Sequence, residues 1–385
     1  MHHLCPHPLI EHHDLPPRVG IIAPRGWGFI CPYSDTYMEM SELTRKIELA
    51  TSSQFFDQTG RNEGKTHQCT PMRILLEGTC SFDCAYCQVC TKRTGIHFTP
   101  DELAHGFLEL HRQGKVGGLL LSTGIPRGDV DLGMEKLTET AKIIRSSGYN
   151  GYLHLKVLPG ASRTDIVEMA KYATRLSINL EAPGSSYLSE LATVKDYSSD
   201  LLTRHRWLAE IMPGKHSTQF VLGAAGETDA DLFQTVMTSY EKYNPARIYY
   251  SAFYAVNGTP LENHENTALW RANRWYQVDA LLRLYGYDRA ETSPVFDEHG
   301  MLMNTDPKIL LARNLPEVDP ATAGYVELLR VPGIGPVSAA SILKTRDFRN
   351  VKNPDILREC GVIMKRAMPY LSLGRTKQTT FASWY

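Results

Sequence analysis

Residues 80–87 read Cys80-Ser81-Phe82-Asp83-Cys84-Ala85-Tyr86-Cys87, three cysteines in Cys-x3-Cys-x2-Cys spacing with an aromatic before the third. Thiolates are soft ligands that hold Fe–S clusters and zinc. Three from one loop can hold three irons of a 4Fe–4S cube and leave the fourth open to a substrate or cofactor. Two other readings stand beside this one. The first is structural zinc on four thiolates, with Cys69 or Cys90 as the fourth and Cys87-x2-Cys90 as half of a knuckle. The second is a set of buried cysteines without ligand. The eight cysteines are Cys5, Cys31, Cys69, Cys80, Cys84, Cys87, Cys90 and Cys360. Four of them within eleven residues argue for metal chemistry over a disulfide framework. His2, His3, Cys5, His7, His12 and His13 could also bind metal, but a loose solvated arm fits them better.

Further residues able to do chemistry sit at fixed places around the loop. Ser177, Asn179 and Glu181 fall on one face of a strand by its period of two, and buried polar groups need partners. A hydrogen-bond network would satisfy them, and so would a ligand. Lys156 could meet a carboxylate or phosphate, or pair with Glu181. The stretch Gly223-Ala224-Ala225-Gly226-Glu227-Thr228 is a Gly-rich strand-to-helix turn.

The elements that must position these groups are legible as short apolar runs between amphipathic stretches. Strands are expected at 73–77, 117–123, 151–157, 175–181, 218–223 and 247–253, and helices at 100–114, 133–147, 163–173, 197–211 and 228–243. Thr99-Pro100-Asp101-Glu102 and Glu227-Thr228-Asp229 read as helix starts. Six strands alternating with five helices predict an α/β fold with a parallel sheet, a partial barrel or a doubly wound sheet. Function should sit at the strands' C-terminal ends. Helix-like spacing at 41–56 precedes the first strand. A helix over 266–285 carries Trp270, Arg271, Arg274, Trp275, Tyr276 and Arg283. Arg and aromatics so interleaved can contact nucleic acid, but packing on the barrel is the expectation.

The chain has 385 residues, with 41 Lys and Arg against 42 Asp and Glu, 42% hydrophobic and 22% charged. That is core enough for two or three domains at roughly 100–200 residues each, and excludes wholesale disorder. No apolar run approaches the ~20 residues of a membrane helix, and the first residues lack a signal peptide's order, so a cytoplasmic protein is expected. Charge is unevenly spread. Residues 325–385 hold ten Lys or Arg against four Asp or Glu, a net of +6, and residues 1–324 carry −7. A basic terminal module raises the expectation of an anionic partner, nucleic acid first.

The cysteine spacing, with Tyr86 in place, resembles the radical S-adenosylmethionine (SAM) superfamily. The resemblance implies a partial (β/α)6 TIM-like barrel, a 4Fe–4S cluster on Cys80, Cys84 and Cys87, and SAM on the open iron. It implies one-electron cleavage of SAM to methionine and a 5′-deoxyadenosyl radical. By position, SAM would meet Tyr86, the backbone of Ser122, Thr123 and Gly124, then Lys156, Asn179, Glu181 and Gly223. Cys69 and Cys90 have no counterpart. No substrate-side catalytic residue is singled out.

Residues 328–346, LLRVPGIGPVSAASILKTR, resemble the helix-hairpin-helix of DNA repair and recombination proteins. The resemblance implies phosphate contacts by the turn at Gly333, Ile334 and Gly335, with Lys344, Arg346 and Arg349 adding charge. A hairpin used only for packing or protein contact is the plainer reading. A further helix is expected over 363–373, with Lys365 and Arg366.

The ordered segments GYLHLKVLPGAS, RLSINLEAP, STQFVLGAAGETD, RIYYSAFYAVNGTPL and VPGIGPVSAASIL resemble radical SAM proteins grouped with DNA modification or repair, whose genes neighbour a uracil-DNA-glycosylase-like gene. The expected organisation is an arm at 1–40, a barrel at 41–262, a helical extension and linker at 263–304 and a small all-α helix-hairpin-helix module at 305–385. The expected activity is radical modification or repair of a nucleic acid base, DNA before RNA, with flavodoxin or ferredoxin as electron donor, a uracil-DNA-glycosylase-like protein as a further partner and no membrane association. The alternatives are a radical SAM enzyme on a small molecule whose helix-hairpin-helix binds a partner protein, and a non-enzymatic zinc protein that binds DNA.

Overall fold

The computed structural model describes residues 43, 46, 47, 71–87, 89 and 95–373. The chain divides into two units, Met1–Glu42 and Leu43–Tyr385, and all described residues belong to the second. The His-rich arm, Cys69, Cys90 and most of the helix expected at 41–56 lie outside the described residues. Among the described residues no helix is long and apolar enough to cross a membrane.

Six strands form one parallel sheet in sequence order: β1 Pro71–Leu75, β2 Gly118–Ser122, β3 Tyr152–Lys156, β4 Arg175–Ser177, β5 His216–Leu222 and β6 Arg247–Ala252. Strand order equal to chain order, with a helix returning over one side each time, is the pattern of a partial TIM barrel rather than a doubly wound sheet, whose order reverses. The returning helices are α1 Pro100–Arg112, α2 Val130–Ser146, α3 Arg163–Ala170, α4 Ser185–Leu191 with α5 Thr203–Ile211, and α6 Asp229–Tyr243. The sheet's outer face holds Ile74, Leu119, Leu121, Leu153, Leu155, Leu176, Ile248 and Tyr250, all at most 1% exposed.

Local chemistry sets the helix starts. Thr99 and Glu102 form a capping box on α1, with Glu102 N–H to Thr99 Oγ1 at 3.2 Å and Thr99 N–H to Glu102 Oε2 at 2.9 Å. Thr228 caps α6 through Asp231 N–H at 3.1 Å. Asp229 opens the first turn as expected, while Glu227 precedes the cap. Both are buried against Arg271 of α7, Leu269–Tyr285.

Three further expectations need correction. The strand expected at 175–181 keeps its ladder only over Arg175–Ser177. Glu181 takes a left-handed φ of 65° and rejoins β5 by a single bridge to Phe220, so Ser177, Asn179 and Glu181 are not one strand face. The helix expected at 197–211 is a π turn, Tyr197–Leu202, running into α5, and α4 precedes it unannounced. The aromatics of α7 pack: Trp275 is fully buried against Tyr250, ring centroids 5.1 Å apart. Arg271 is buried with them, so this helix does not present the nucleic-acid surface its sequence allowed.

The stretch 287–304 carries α8, Arg289–Thr292, and sends Val295 and Leu302 into the barrel core. Beyond α9, Pro307–Leu311, a second core gathers Val318, Leu328, Ile334, Ile342, Leu357 and Leu371 among others. Its helices are α10 Tyr325–Arg330, α11 Pro336–Thr345, α12 Pro354–Glu359 and α13 Met364–Ala367. The helix expected over 363–373 is thus a single short turn of α-helix, followed by a 3-10 turn that ends at Tyr370.

Candidate active site

The cysteine loop leaves the C-terminal end of β1 and is fastened on three sides. Ser81 N–H donates to Ile125 O at 2.8 Å, Gly124 N–H to Glu77 O at 2.8 Å and Ala85 N–H to Leu191 O at 2.7 Å. The carboxylate of Asp83 reaches residues 110 positions away. Its Oδ2 accepts from Thr193 N–H at 3.0 Å and from the Thr193 hydroxyl, and its Oδ1 from Val194 N–H at 3.4 Å. That clasp brings Lys195 over the Phe82 ring, 5.8 Å from its centroid. There Lys195 bonds to Cys84, close to Glu181 and Cys87.

Cys84 is buried, Cys80 and Cys87 are half-buried, and none is in a disulfide. Burial pushes the Cys84 thiol up, against the opposing pull of the Lys195 cation. Burial also raises the Tyr86 phenol, helped by Glu181, to which Tyr86 hydrogen-bonds. For Lys195, burial works to lower the ammonium, but Cys84 and Glu181 outweigh it and hold it above its ordinary value. Lys195 is a residue that sequence reasoning missed: nothing local marks it, and only the Asp83 clasp places it here.

The donor set fits a 4Fe–4S cube. Three soft thiols share one short loop, a cation lies beside them to offset thiolate charge, and the other described cysteine, Cys360, belongs to the second core. Among the described residues no three His, Cys, Asp or Glu converge on a single ion, as a mononuclear site needs. A cube asks each thiolate to bind a different iron.

The other residues singled out from sequence lie around this mouth, in three groups. Ser122 ends β2, and its carbonyl accepts Leu76 N–H at 2.8 Å. Thr123 is buried with its hydroxyl on Gly124 O at 2.8 Å. Gly124 has a steric reason of its own, because a Cβ there would lie 2.0 Å from Thr79 O. Lys156 Nζ donates to Asn179 Oδ1 at 2.8 Å, joining β3 to the chain after β4. Gly223 combines φ of 80° with a Cβ position 2.1 Å from Thr267 Oγ1, and its N–H donates to Glu227 Oε1 at 2.5 Å. Glu227 is itself held by Arg271, which reaches Asp229 Oδ1 at 2.8 Å and Glu227 Oε1 at 3.2 Å. Burial nevertheless keeps the Glu227 carboxyl above its ordinary range.

The residues expected to touch nucleic acid are placed in the second core. Ile334 is buried and its carbonyl accepts Lys308 Nζ at 2.5 Å. Gly333 has φ of 87°, and a Cβ there would meet Ile363 O at 2.6 Å, so packing alone requires this glycine. Gly335 caps α11 with no side-chain bond to its first amides. Lys344 lies in the last turn of α11, and Arg346 donates to Ala323 O at 2.8 Å.

The profile of the Radical SAM superfamily matches residues 76–238, from the end of β1 into α6. No curated protein matches the chain. Among solved structures, the chain is similar to the FeFe-hydrogenase maturase HydG from Carboxydothermus hydrogenoformans, at 13% identity and TM-score 0.45 over 65% of this chain and 64% of that one. It is also similar to another HydG structure, at 11% identity and TM-score 0.45 over 64% of this chain and 53% of that one. A third is methylornithine synthase (PylB), at 11% identity and TM-score 0.42, over 76% and 73%. The chain thus spans less than two thirds of both HydG chains. Residues 76–238 form a radical SAM superfamily domain, which implies a 4Fe–4S cluster and S-adenosylmethionine as its cofactors.

Proposed function

We propose that the protein turns radical SAM chemistry on a base of a nucleic acid, DNA before RNA, to modify or repair it. When bound, the reduced cluster and SAM supply methionine and a 5′-deoxyadenosyl radical by one-electron cleavage of a C–S bond. Cys80, Cys84 and Cys87 hold the cluster, and Lys195 offsets part of the thiolate charge. Tyr86 and Glu181, bonded to each other, orient the nucleoside part of SAM, with the backbone of residues 122–124 and 223 on either side. Asp83 keeps Lys195 over the loop. A base in duplex has to be flipped out to reach the mouth.

The observation that carries the nucleic-acid reading is the exposed end of the basic C-terminal unit. There α11 starts from amides with no side-chain cap at Gly335, with Val337 84% exposed in its first turn, and Lys344 lies in its last turn, with Phe348 87% exposed just beyond. Free amides at a helix start take phosphate, and an exposed aromatic among cations can stack on a base. Through this end the unit grips the helix backbone, as a helix-hairpin-helix does. Flavodoxin or ferredoxin supplies the electron, and a uracil-DNA-glycosylase-like protein is a further partner. Fluorescence anisotropy of a labelled DNA duplex over a salt series tests the reading. Each phosphate contact adds about −0.9 to the slope of log K against log salt. Lys344→Gln with Phe348→Ser should weaken binding and flatten that slope, and unchanged binding would refute the docking surface.

A small-molecule substrate is the second reading. The observation that favours it is the polar, cation-bearing inner face of the sheet.

A further inference from the structure

The strand register places two rows of side chains across the inner face. Arg73, Leu120, His154 and Arg175 are lateral partners across β1 to β4. One row higher, Lys156, Ser177, Ser217 and Arg247 are partners across β3 to β6. Register partners in a parallel sheet point to the same side, and residues two apart share it, so all eight lie opposite the helix-packed face. Four cations therefore frame His154, Ser177 and Ser217.

The centre of the frame is a buried polar chain. Tyr152 OH lies 3.3 Å from His154 Nδ1, and His154 Nε2 lies 2.8 Å from Ser177 Oγ. Ser217 Oγ, fully buried between Ser177 and Arg247 in its row, has no hydrogen-bond partner. Burial pushes the His154 imidazole down to about 3, with Lys156, Arg175 and Arg73 adding to the fall, so those three cations are felt in one space. Arg247 lies over the Tyr276 and Tyr249 rings, 5.4 and 6.0 Å from their centroids, contacts that leave its guanidinium edge N–H groups able to donate. The acids past the ends of β1 and β4 are held elsewhere, Glu77 with Thr79 and Glu181 with Tyr86 and Lys195. Strands rise ~3.3 Å per residue, which puts the Arg73 Cα about 7 Å below the end of β1, where the cysteine loop begins.

We propose that this floor is a subsite for a phosphate-like oxyanion carried by the substrate, seated between Arg73, Arg175 and Arg247 beneath the cysteine loop. Guanidinium groups take phosphate with paired N–H bonds, and a half-buried site sharpens the attraction. The unpartnered Ser217 hydroxyl and the neutral His154 supply uncharged contacts to the same group. The proposal deepens the functional reading and rests on the half-barrel being the substrate chamber. It also narrows that reading from a base flipped out of the middle of a duplex to one in a mononucleotide or at a phosphorylated strand end, because what enters carries its anion inward.

The test is calorimetric titration of the anaerobically reconstituted full chain with inorganic phosphate, thymidine 5′-monophosphate, thymidine, and a trinucleotide with or without 5′-phosphate. Phosphate and the monophosphate should bind and compete, while thymidine fails to displace phosphate. Arg175→Gln or Arg73→Gln should weaken phosphate at least about tenfold, Arg175→Lys much less, and Lys344→Gln not at all. Arg247→Gln gives the same reading should Arg175→Gln not fold. Stronger binding of the 5′-phosphorylated trinucleotide than of the monophosphate would identify a strand end as the source, and the reverse a small molecule. Absence of phosphate binding by the wild type, or equal binding by wild type and all three Gln variants, overturns the subsite. Iron content and SAM binding on the same samples report separately on the radical chemistry, so that its failure is not mistaken for this one.

Discussion

Replacing Arg271 by Met should unfasten the Gly-rich turn beside the mouth. The guanidinium is 9% exposed, and its two carboxylate partners, Glu227 and Asp229, are 2% and 0% exposed. Trp275 Nε1 at 2.6 Å and Leu302 N–H at 2.8 Å also donate to Asp229, so Asp229 keeps two neutral donors. Glu227 keeps backbone N–H donors, Gly223 at 2.5 Å among them, but its Oε2 already lacks a partner. Removing one member of a buried ion pair costs about 3–5 kcal/mol, because the remaining charge stays buried. The surviving donors on Asp229 place the loss near 3 kcal/mol rather than 5. Urea unfolding of anaerobic protein, followed by circular dichroism, measures it. The deficit should shrink as pH falls, since Glu227, whose carboxyl burial already holds above its ordinary range, then takes a proton in the folded state. Because Gly223 N–H rests on Glu227, SAM affinity should fall with stability. A loss under about 1 kcal/mol would mean that the two carboxylates are hydrated, and the buried network would be wrong.

Other outcomes follow from the same geometry. Gly124→Ala forces a Cβ against the Thr79 carbonyl, and should cost at least the 1–3 kcal/mol of ordinary overpacking and lower the iron held after reconstitution. Asp83→Ala should leave the three cysteines in place but release Lys195, seen as a changed electron paramagnetic resonance spectrum at unchanged iron content. Burial pushes the Lys308 ammonium down to about 7 from 10.5. Between those values the unfolded chain holds the proton that the folded one has lost, so stability should rise with pH from 7 towards 10.5. Lys308→Met should abolish that rise in a pH series of urea midpoints.

What the sequence discloses follows from how local each signal is. The cysteine loop sits within eight residues, and each strand of the sheet except β4 is a short apolar run, so both are legible directly. Residues 175–181 alternate as a strand would, yet the alternation carries no mark of the left-handed turn at Glu181. Lys195 has no local signal, because a contact spanning 110 positions places it through Asp83. Gly124, Gly223 and Gly333 stand out as glycines, and their steric neighbours Thr79, Thr267 and Ile363 appear only in three dimensions. The two cationic rows are written in the period of two along each strand, but their alignment depends on register, which the apolar runs leave open.

The central claim is that Cys80, Cys84 and Cys87 carry a cluster that cleaves SAM. The most direct test reconstitutes the wild type and a Cys80→Ala, Cys84→Ala, Cys87→Ala triple variant under anaerobic conditions, reduces both, adds SAM and measures 5′-deoxyadenosine with and without DNA or tRNA. The account predicts iron and deoxyadenosine from the wild type alone, with turnover raised by nucleic acid. A wild type that loads zinc in place of iron and makes no deoxyadenosine would contradict it.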